Sequence, residues 1–218
     1  MKKWVVAFGG LKTFLQCPHK FYRTKISKDV VEEFNHPATI WGNEVHKALE
    51  LYFTEGKPLG ERFESFQYYA DALAAIPGKK YIEHKLGMTD DSEPAKFFGR
   101  NVAYRGVIDY MSIDGEVAYM VDHKAGKVRP TKQLHFCALL IFANFPKVNE
   151  IRAAFYWLST DSYTKHRFLR EDIPDLWDEF EDGIVGLEEA QEKNHWPKKE
   201  SGLCPWCPVK DCEHWGPR

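Results

Sequence analysis

The run Arg105-Gly106-Val107-Ile108-Asp109-Tyr110-Met111-Ser112-Ile113, followed by Asp114-Gly115 and then Glu116-Val117-Ala118-Tyr119-Met120-Val121-Asp122-His123-Lys124, reads as a β-hairpin. Asp-Gly between two apolar, β-rich runs is a strong short-range hairpin signal, because glycine tolerates positive φ and aspartate does so better than most residues. With Asp114-Gly115 as a two-residue turn, Ile113 faces Glu116, and counting outward sets Asp109 opposite Met120. Opposed residues share a face and side chains alternate along a strand. Asp109, Met120, Asp122 and Lys124 then project together, with Asp122 diagonal to Asp109. A diagonal pair lies about 7–8 Å apart at Cα. One divalent cation fits between the two carboxylates, with an ammonium beside it. An isolated Asp-x-Lys on a strand is ordinarily a solvated face; the acid across the pair makes this one more specific. Gly106 adds a place where another group can approach the strand closely.

Gly106-Val107-Ile108-Asp109, then Val121-Asp122-His123-Lys124-Ala125-Gly126 and Gln133-Leu134, resembles the PD-(D/E)XK nuclease core. It is most similar to the RecB-like branch, which includes CRISPR-associated, AddAB-type and phage exonuclease relatives. The resemblance implies an α/β fold, a mixed central sheet flanked by helices, and a metal-dependent phosphodiester hydrolase acting on DNA ends or single strands in recombination, repair or phage DNA metabolism. It implies Asp109, Asp122, Lys124 and Gln133 as catalytic residues, with Gln133 orienting the lysine. A Gly…His helix precedes the hairpin in this family, and Trp41-Gly42-Asn43-Glu44-Val45-His46 fits it. His46, Asp109, Asp122 and the carbonyl of His123 are therefore the implied ligands of Mn²⁺ or Mg²⁺. Neutral imidazole suits Mn²⁺ better than Mg²⁺, which prefers oxygen ligands and bound water.

Beyond the hairpin, the chain of 218 residues has room for one full core with an appendage. Its 44% hydrophobic and 28% charged residues are those of a globular protein, and a net charge of −2 excludes a globally basic nucleic-acid binder, so any such surface is local. Met1-Lys2-Lys3 before Trp4-Val5-Val6-Ala7-Phe8 starts like a signal peptide, but the apolar run ends by Lys12 without a small-residue cleavage site. The expectation is a cytoplasmic protein of a bacterial, archaeal or phage-infected cell, with no membrane span.

Trp4–Phe8 reads as a short strand and Leu11–Cys17 as a short helix, with Leu11, Phe14 and Leu15 as its apolar stripe. Residues 24–36 are patternless. Pro37 suits the first position of a helix whose buried stripe is Trp41, Val45, Leu49 and Tyr52. Another helix is expected over Arg62–Ile76, stopped by Pro77-Gly78. Tyr81–Leu86 reads as a strand. Its Glu83-x-Lys85 matches half of the nuclease motif without a suitably placed upstream acid, and is read as structural. Residues 87–99 read as loop, Thr131–Asn144 as an apolar helix with Cys137 as a buried small residue, Glu150–Ser159 and Tyr163–Leu169 as an antiparallel pair, and Pro174–Lys193 as a final helix.

The tail, Cys204-Pro205-Trp206-Cys207-Pro208-Val209-Lys210-Asp211-Cys212-Glu213-His214, places three thiols within nine residues, a pattern for a shared positive centre in a reducing compartment. Zinc could take Cys204, Cys207, Cys212 and His214 locally. A 4Fe–4S cluster would recruit distant Cys17 for all-cysteine ligation. The family resemblance implies the second: Cys17 with Cys204, Cys207 and Cys212, clasping the termini. The expected organisation is a single nuclease domain over 1–218, with a core at about 37–170 and a cluster region formed by 1–36 and 195–218. Lys127, Arg129, Lys132 and the segment Lys20–Lys28 are candidate phosphate contacts, and Phe21 and Tyr22 are either base-stacking or buried aromatics. DNA is the expected partner, alongside a helicase or recombination protein. A catalytically silent DNA-binding or scaffold subunit and an RNA nuclease are the alternatives.

Overall fold

The computed structural model describes residues 3–32, 36–126, 128 and 131–216. In chain order its helices are α1 (Phe8–Gln16), α2 (Pro18–Phe21), α3 (Pro37–Glu55), α4 (Gln67–Ala74), α5 (Gln133–Asn144) and α6 (Ile173–Glu192). Its strands are β1 (Lys79–Met88), β2 (Pro94–Ala95), β3 (Tyr104–Asp114), β4 (Val117–Lys124), β5 (Glu150–Trp157) and β6 (Ser162–Leu169). The chain divides into two compact units, Met1–Phe34 with Trp177–Arg218, and Asn35–Leu176.

The larger unit is built on a six-stranded mixed sheet in the order β2-β1-β3-β4-β5-β6. All pairings are antiparallel except β4 with β5. A parallel neighbour requires a crossover, which α5 provides, and it leaves β4 covered on both faces. Accordingly Ala118, Met120, Val121, Asp122 and His123 are all buried. On one side α3 and α4 bring Val45, Leu49, Tyr69 and Leu73 against Tyr110, Val121 and Tyr156. On the other lies α5, apolar all round and almost wholly buried, as such a helix must be. Gly106 permits this, since a Cβ there would lie 2.8 Å from Leu140 Cδ1. Arg170 donates to the carbonyls of Phe142, Phe145 and Val148, which closes the end of α5 where carbonyls lack intrahelical partners.

Several expectations are corrected. The hairpin turn is Gly115-Glu116, not Asp114-Gly115: Asp114 pairs with Val117 and Met111 with Met120. Gly115 alone supplies the positive φ, at 58°, and Asp114 keeps its place in the ladder. Shifting the turn by one residue moves the register by two places, so the same residues share a face. Continued one step, this register sets Asp109 opposite Asp122 rather than Met120. The ladder stops at Tyr110–Val121, and the Asp109 carboxylate instead accepts the His123 N–H. Trp4–Phe8 forms no strand; only Val6 makes a single bridge, and Phe8 already opens α1. Residues 22–26 form a π-helix, the expected helix from Arg62 begins as a 3-10 turn over Glu61–Phe66, and the expected loop after Leu86 contains the end of β1 and all of β2. Among the described residues, no helix is long and apolar enough to cross a membrane.

The smaller unit has an aromatic core. Phe21 is fully buried, edge-on to Trp4 and Phe14, and Tyr22 stacks on Trp196. Phe21 is therefore not presented for stacking on bases, while Tyr22 is half-buried with one contact made by Trp196. Lys20 and Lys25 pair with Glu32, and Arg23 with Asp29 and Asp211, so these cations of the basic segment are already neutralised. Lys127 and Arg129 lie outside the described residues.

Candidate active site and cysteine cavity

His36 and Pro37 start α3: the His36 ring accepts the Ala38 N–H, and Pro37 occupies the first position, where no donor is needed. The next turn meets the end of β4 at Gly42, where a Cβ would stand 2.8 Å from the Ala125 Cβ. Any larger residue would hold the helix off. One turn further, His46 lies over the strand end, and its Nε2 is 2.9 Å from the His123 carbonyl. A carbonyl only accepts, so Nε2 carries a proton, and in the neutral ring Nδ1 presents its lone pair. That nitrogen lies 3.5 Å from Asp109 Oδ2. Two lone pairs thus face each other, an arrangement that asks for a proton or a cation between them.

Asp109 is held below the usual carboxylate range. Burial alone would raise it, but hydrogen bonding and positive charge from His123, with His46 behind them, outweigh that. His123 is buried at 3% exposure, its Nδ1 lies 3.5 Å from the same Asp109 oxygen, and its Nε2 has no hydrogen-bond partner. Burial pulls His123 below its ordinary pKa. Among the described residues, His46, Asp109 and His123 form the one group of three whose ligand atoms lie within 4.8 Å of one another. For His123 the grouped atom is the imidazole nitrogen; the carbonyl expected from sequence is engaged by His46.

Asp122 sits beside this group, not within it. Its Oδ2 is 2.5 Å from Lys124 Nζ and its Oδ1 accepts from Gln133 Nε2 at 2.7 Å. Lys124 in turn donates to Gln133 Oε1 at 2.9 Å. Gln133, on the first turn of α5, thereby fixes both partners. Burial and the charge of Asp109 raise the Asp122 pKa despite Lys124. A buried carboxyl raised by a neighbouring carboxylate and held by a lysine is a common mark of a working site.

The reading of Glu83 as structural missed its position. It falls opposite Asp109 in the β1–β3 register, yet neither enters the ladder, and Glu83 has φ +45°. The alternation slips there: Tyr81 and His84, three residues apart, both contact Phe145 at the end of α5. Glu83 instead opens into a cleft of about 590 Å³ with Gly42, Asn43, His46, Lys47, Glu50 and Ala125. Burial, then the charges of Asp109 and Glu50, raise its pKa to about 7. Its only sequence signal was an acid on the strand before the hairpin.

In the smaller unit, Cys17, Cys204, Cys207, Cys212 and His214 line one cavity. The Cys17 and Cys204 sulfurs accept backbone N–H groups from Lys20 and Ser201. Burial, with Cys17 and Cys204 nearby, raises the Cys207 thiol. Cys137 belongs to the larger unit, buried within α5, its thiol pushed well up by burial.

These geometries sit on a fold that is already known. No family model and no curated protein matches the chain. Among solved structures, a "Putative exonuclease" from Eubacterium rectale superposes with a TM-score of 0.54 at 12% identity, covering 93% of this chain and 86% of that one. The structure of SSO0001 superposes with a TM-score of 0.51, also at 12% identity, over 98% and 88%. At such identity the likeness is one of fold, and the side chains above stand on their own geometry.

Proposed function

We propose that the protein is a metal-dependent DNA nuclease of the PD-(D/E)XK superfamily, RecB-like branch, acting as an exonuclease on ends or single strands. The observation that carries this reading is the His46 Nδ1 lone pair aimed at Asp109 Oδ2 across 3.5 Å, beside a Lys124 ammonium held by Asp122 and Gln133. The likeness in fold to the "Putative exonuclease" from Eubacterium rectale supports it. His46 and Asp109 would hold Mn²⁺ or Mg²⁺, with His123 or Asp122 completing the protein's share and Glu83 adding negative charge to the cleft. When bound, such an ion lowers the pKa of coordinated water and offsets charge on phosphoryl oxygens. Lys124 directs its charge toward the attacked phosphate, where charge stabilisation contributes most to rate. Gln133 fixes Lys124 and Asp122 together through one hydrogen bond to each. A silent scaffold subunit has no physical need for this set of facing acids, imidazoles and lysine.

The cysteine cavity is read as a 4Fe–4S site built from Cys17, Cys204, Cys207 and Cys212. What supports this over a zinc knuckle of Cys204, Cys207, Cys212 and His214 is that Cys17 belongs to the cavity lining, where a local knuckle would not need it.

The test of the activity is digestion of end-labelled single-stranded DNA, duplex DNA and RNA with Mn²⁺, Mg²⁺ or EDTA. Metal-dependent loss of label from DNA is expected. Cleavage of RNA alone would move the substrate class, and no cleavage of any substrate would favour the scaffold reading.

A further inference from the structure

Outside the acidic cleft, the same unit carries a basic aromatic patch that the chemistry above does not use. After β1 the chain returns through β2, which pairs at Gly87–Ala95 and Met88–Pro94 and so pins the following turn beside β1. That turn presents Phe97 and Phe98, edge to face at 4.8 Å, with Phe98 77% exposed. An aromatic ring so exposed gains nothing from burial. Two cations lie over the pair: Arg105 is 5.0 Å from the Phe97 ring and 5.7 Å from Phe98, and Lys85 is 5.9 Å from each. Among the described residues, neither Lys85 nor Arg105 pairs with a carboxylate, although Asp90, Asp91 and Glu93 lie in the same connection.

The patch faces the candidate site. Leu86 pairs with Gly106, whose Cβ position meets Leu140 of α5, so Lys85 points to the other side, the side of the α3 cleft that Glu83 lines. Lys85 is paired with Val107 and Arg105 with Gly87, which puts both cations on that side. Strand rise sets Lys85 about 7 Å from Glu83, and Arg105 about 13 Å from Asp109. At about 3.4 Å per stacked nucleotide the second span holds about four nucleotides, fewer if the strand is extended.

We infer that Phe97, Phe98, Lys85 and Arg105 form a binding platform for an unpaired DNA strand, stacking a base on Phe98 and holding phosphates with Lys85 and Arg105 while the strand end reaches the cleft. This rests on the nuclease reading for the identity of its ligand. Exposed rings supply the base contact and unneutralised cations the backbone contact, the combination by which single strands are held without sequence preference. A duplex keeps its bases stacked and offers nothing to Phe98.

The experiment measures binding of fluorescein-labelled dT20 by anisotropy with the full chain in EDTA, so that no cleavage intervenes. Phe98→Ala is expected to weaken binding about tenfold, in keeping with the loss of one stacked base. Phe98→Trp restores it, and blunt duplex binding is unchanged by either. Lys85→Gln with Arg105→Gln lowers the slope of log affinity against log salt by about 1.4, at about 0.7 per phosphate. Failure of the wild type to bind dT20, unchanged affinity in Phe98→Ala, or equal losses for dT20 and duplex would each overturn the platform. Platform-dependent binding without cleavage in Mn²⁺ would sink the nuclease reading alone. Cleavage with an unchanged KM in Phe98→Ala would sink the platform alone.

Discussion

Replacing Glu83 by Gln removes one charge from a crowded acidic cleft while keeping its shape. In the folded, metal-free chain the Glu83 carboxyl is raised from an ordinary 4.5 to about 7, first by burial and then by Asp109 and Glu50. That difference corresponds to about 3.4 kcal/mol at 1.36 kcal/mol per pH unit. Partial solvent access screens some of it, so the expected gain from Glu83→Gln is about 1–3 kcal/mol. The sign follows from linkage: a carboxyl raised in the folded state is fully compatible with folding below about pH 4.5, and stability is lost as pH rises toward 7. Urea denaturation in EDTA should therefore show the variant more stable than wild type at pH 8, with only a small part of that gain at pH 5. Saturating Mn²⁺ should shrink the advantage at pH 8, because the cation meets the wild-type carboxylate. A variant no more stable than wild type at pH 8, or one equally stabilised at pH 5 and pH 8, would refute the electrostatic account of the cleft.

Three other perturbations probe separate parts of the structure. Gly42→Ala drives a methyl into Ala125, so it should lower metal affinity measured by isothermal titration and reduce cleavage at limiting Mn²⁺, with the melting temperature falling modestly. Lys124→Ala should lower kcat at least about 100-fold with metal affinity nearly intact, whereas Lys85→Ala should keep kcat and raise KM for single strands; a reversal of these phenotypes would place the chemistry on β1. Protein purified without oxygen should contain iron and sulfide that Cys17→Ser loses and Cys137→Ser keeps. Stoichiometric zinc indifferent to Cys17→Ser would establish the local knuckle instead.

Much of this arrangement was legible because alternation survives errors of register. Misplacing the turn by one residue still left Asp122 and Lys124 on one face, where both meet Gln133, but Asp109 leaves the ladder and groups with His46 and with His123, whose side chain alternates to the opposite face. The His46 helix was legible from Pro37 and its apolar stripe, whereas Gln133 was singled out only by the resemblance to the nuclease family, since its position at the start of an apolar helix carries no chemical signal. What alternation cannot register is a non-glycine residue at positive φ. Glu83 turns out of the pattern at φ +45° and enters the cleft, while Lys85, the other half of the apparent motif, leaves it for the aromatic patch. The Phe97-Phe98 turn was hidden for a related reason: its position depends on a two-residue strand, Pro94–Ala95, too short to carry a periodic signal. At the start of the chain, Trp4–Phe8 has strand-like composition, but its residues serve an aromatic core and the first turn of α1.

The central claim is that His46 and Asp109 organise a metal for phosphodiester hydrolysis. Its most direct test is cleavage of end-labelled single-stranded DNA by wild type and Asp109→Asn, each with Mn²⁺ and with EDTA, after circular dichroism has shown both to be folded. Wild type should cleave only with Mn²⁺, and Asp109→Asn should be slower by at least about 100-fold, the loss expected when one stabilising group for developing charge is removed. Cleavage that persists in EDTA, or a folded Asp109→Asn that cleaves at the wild-type rate, would contradict it.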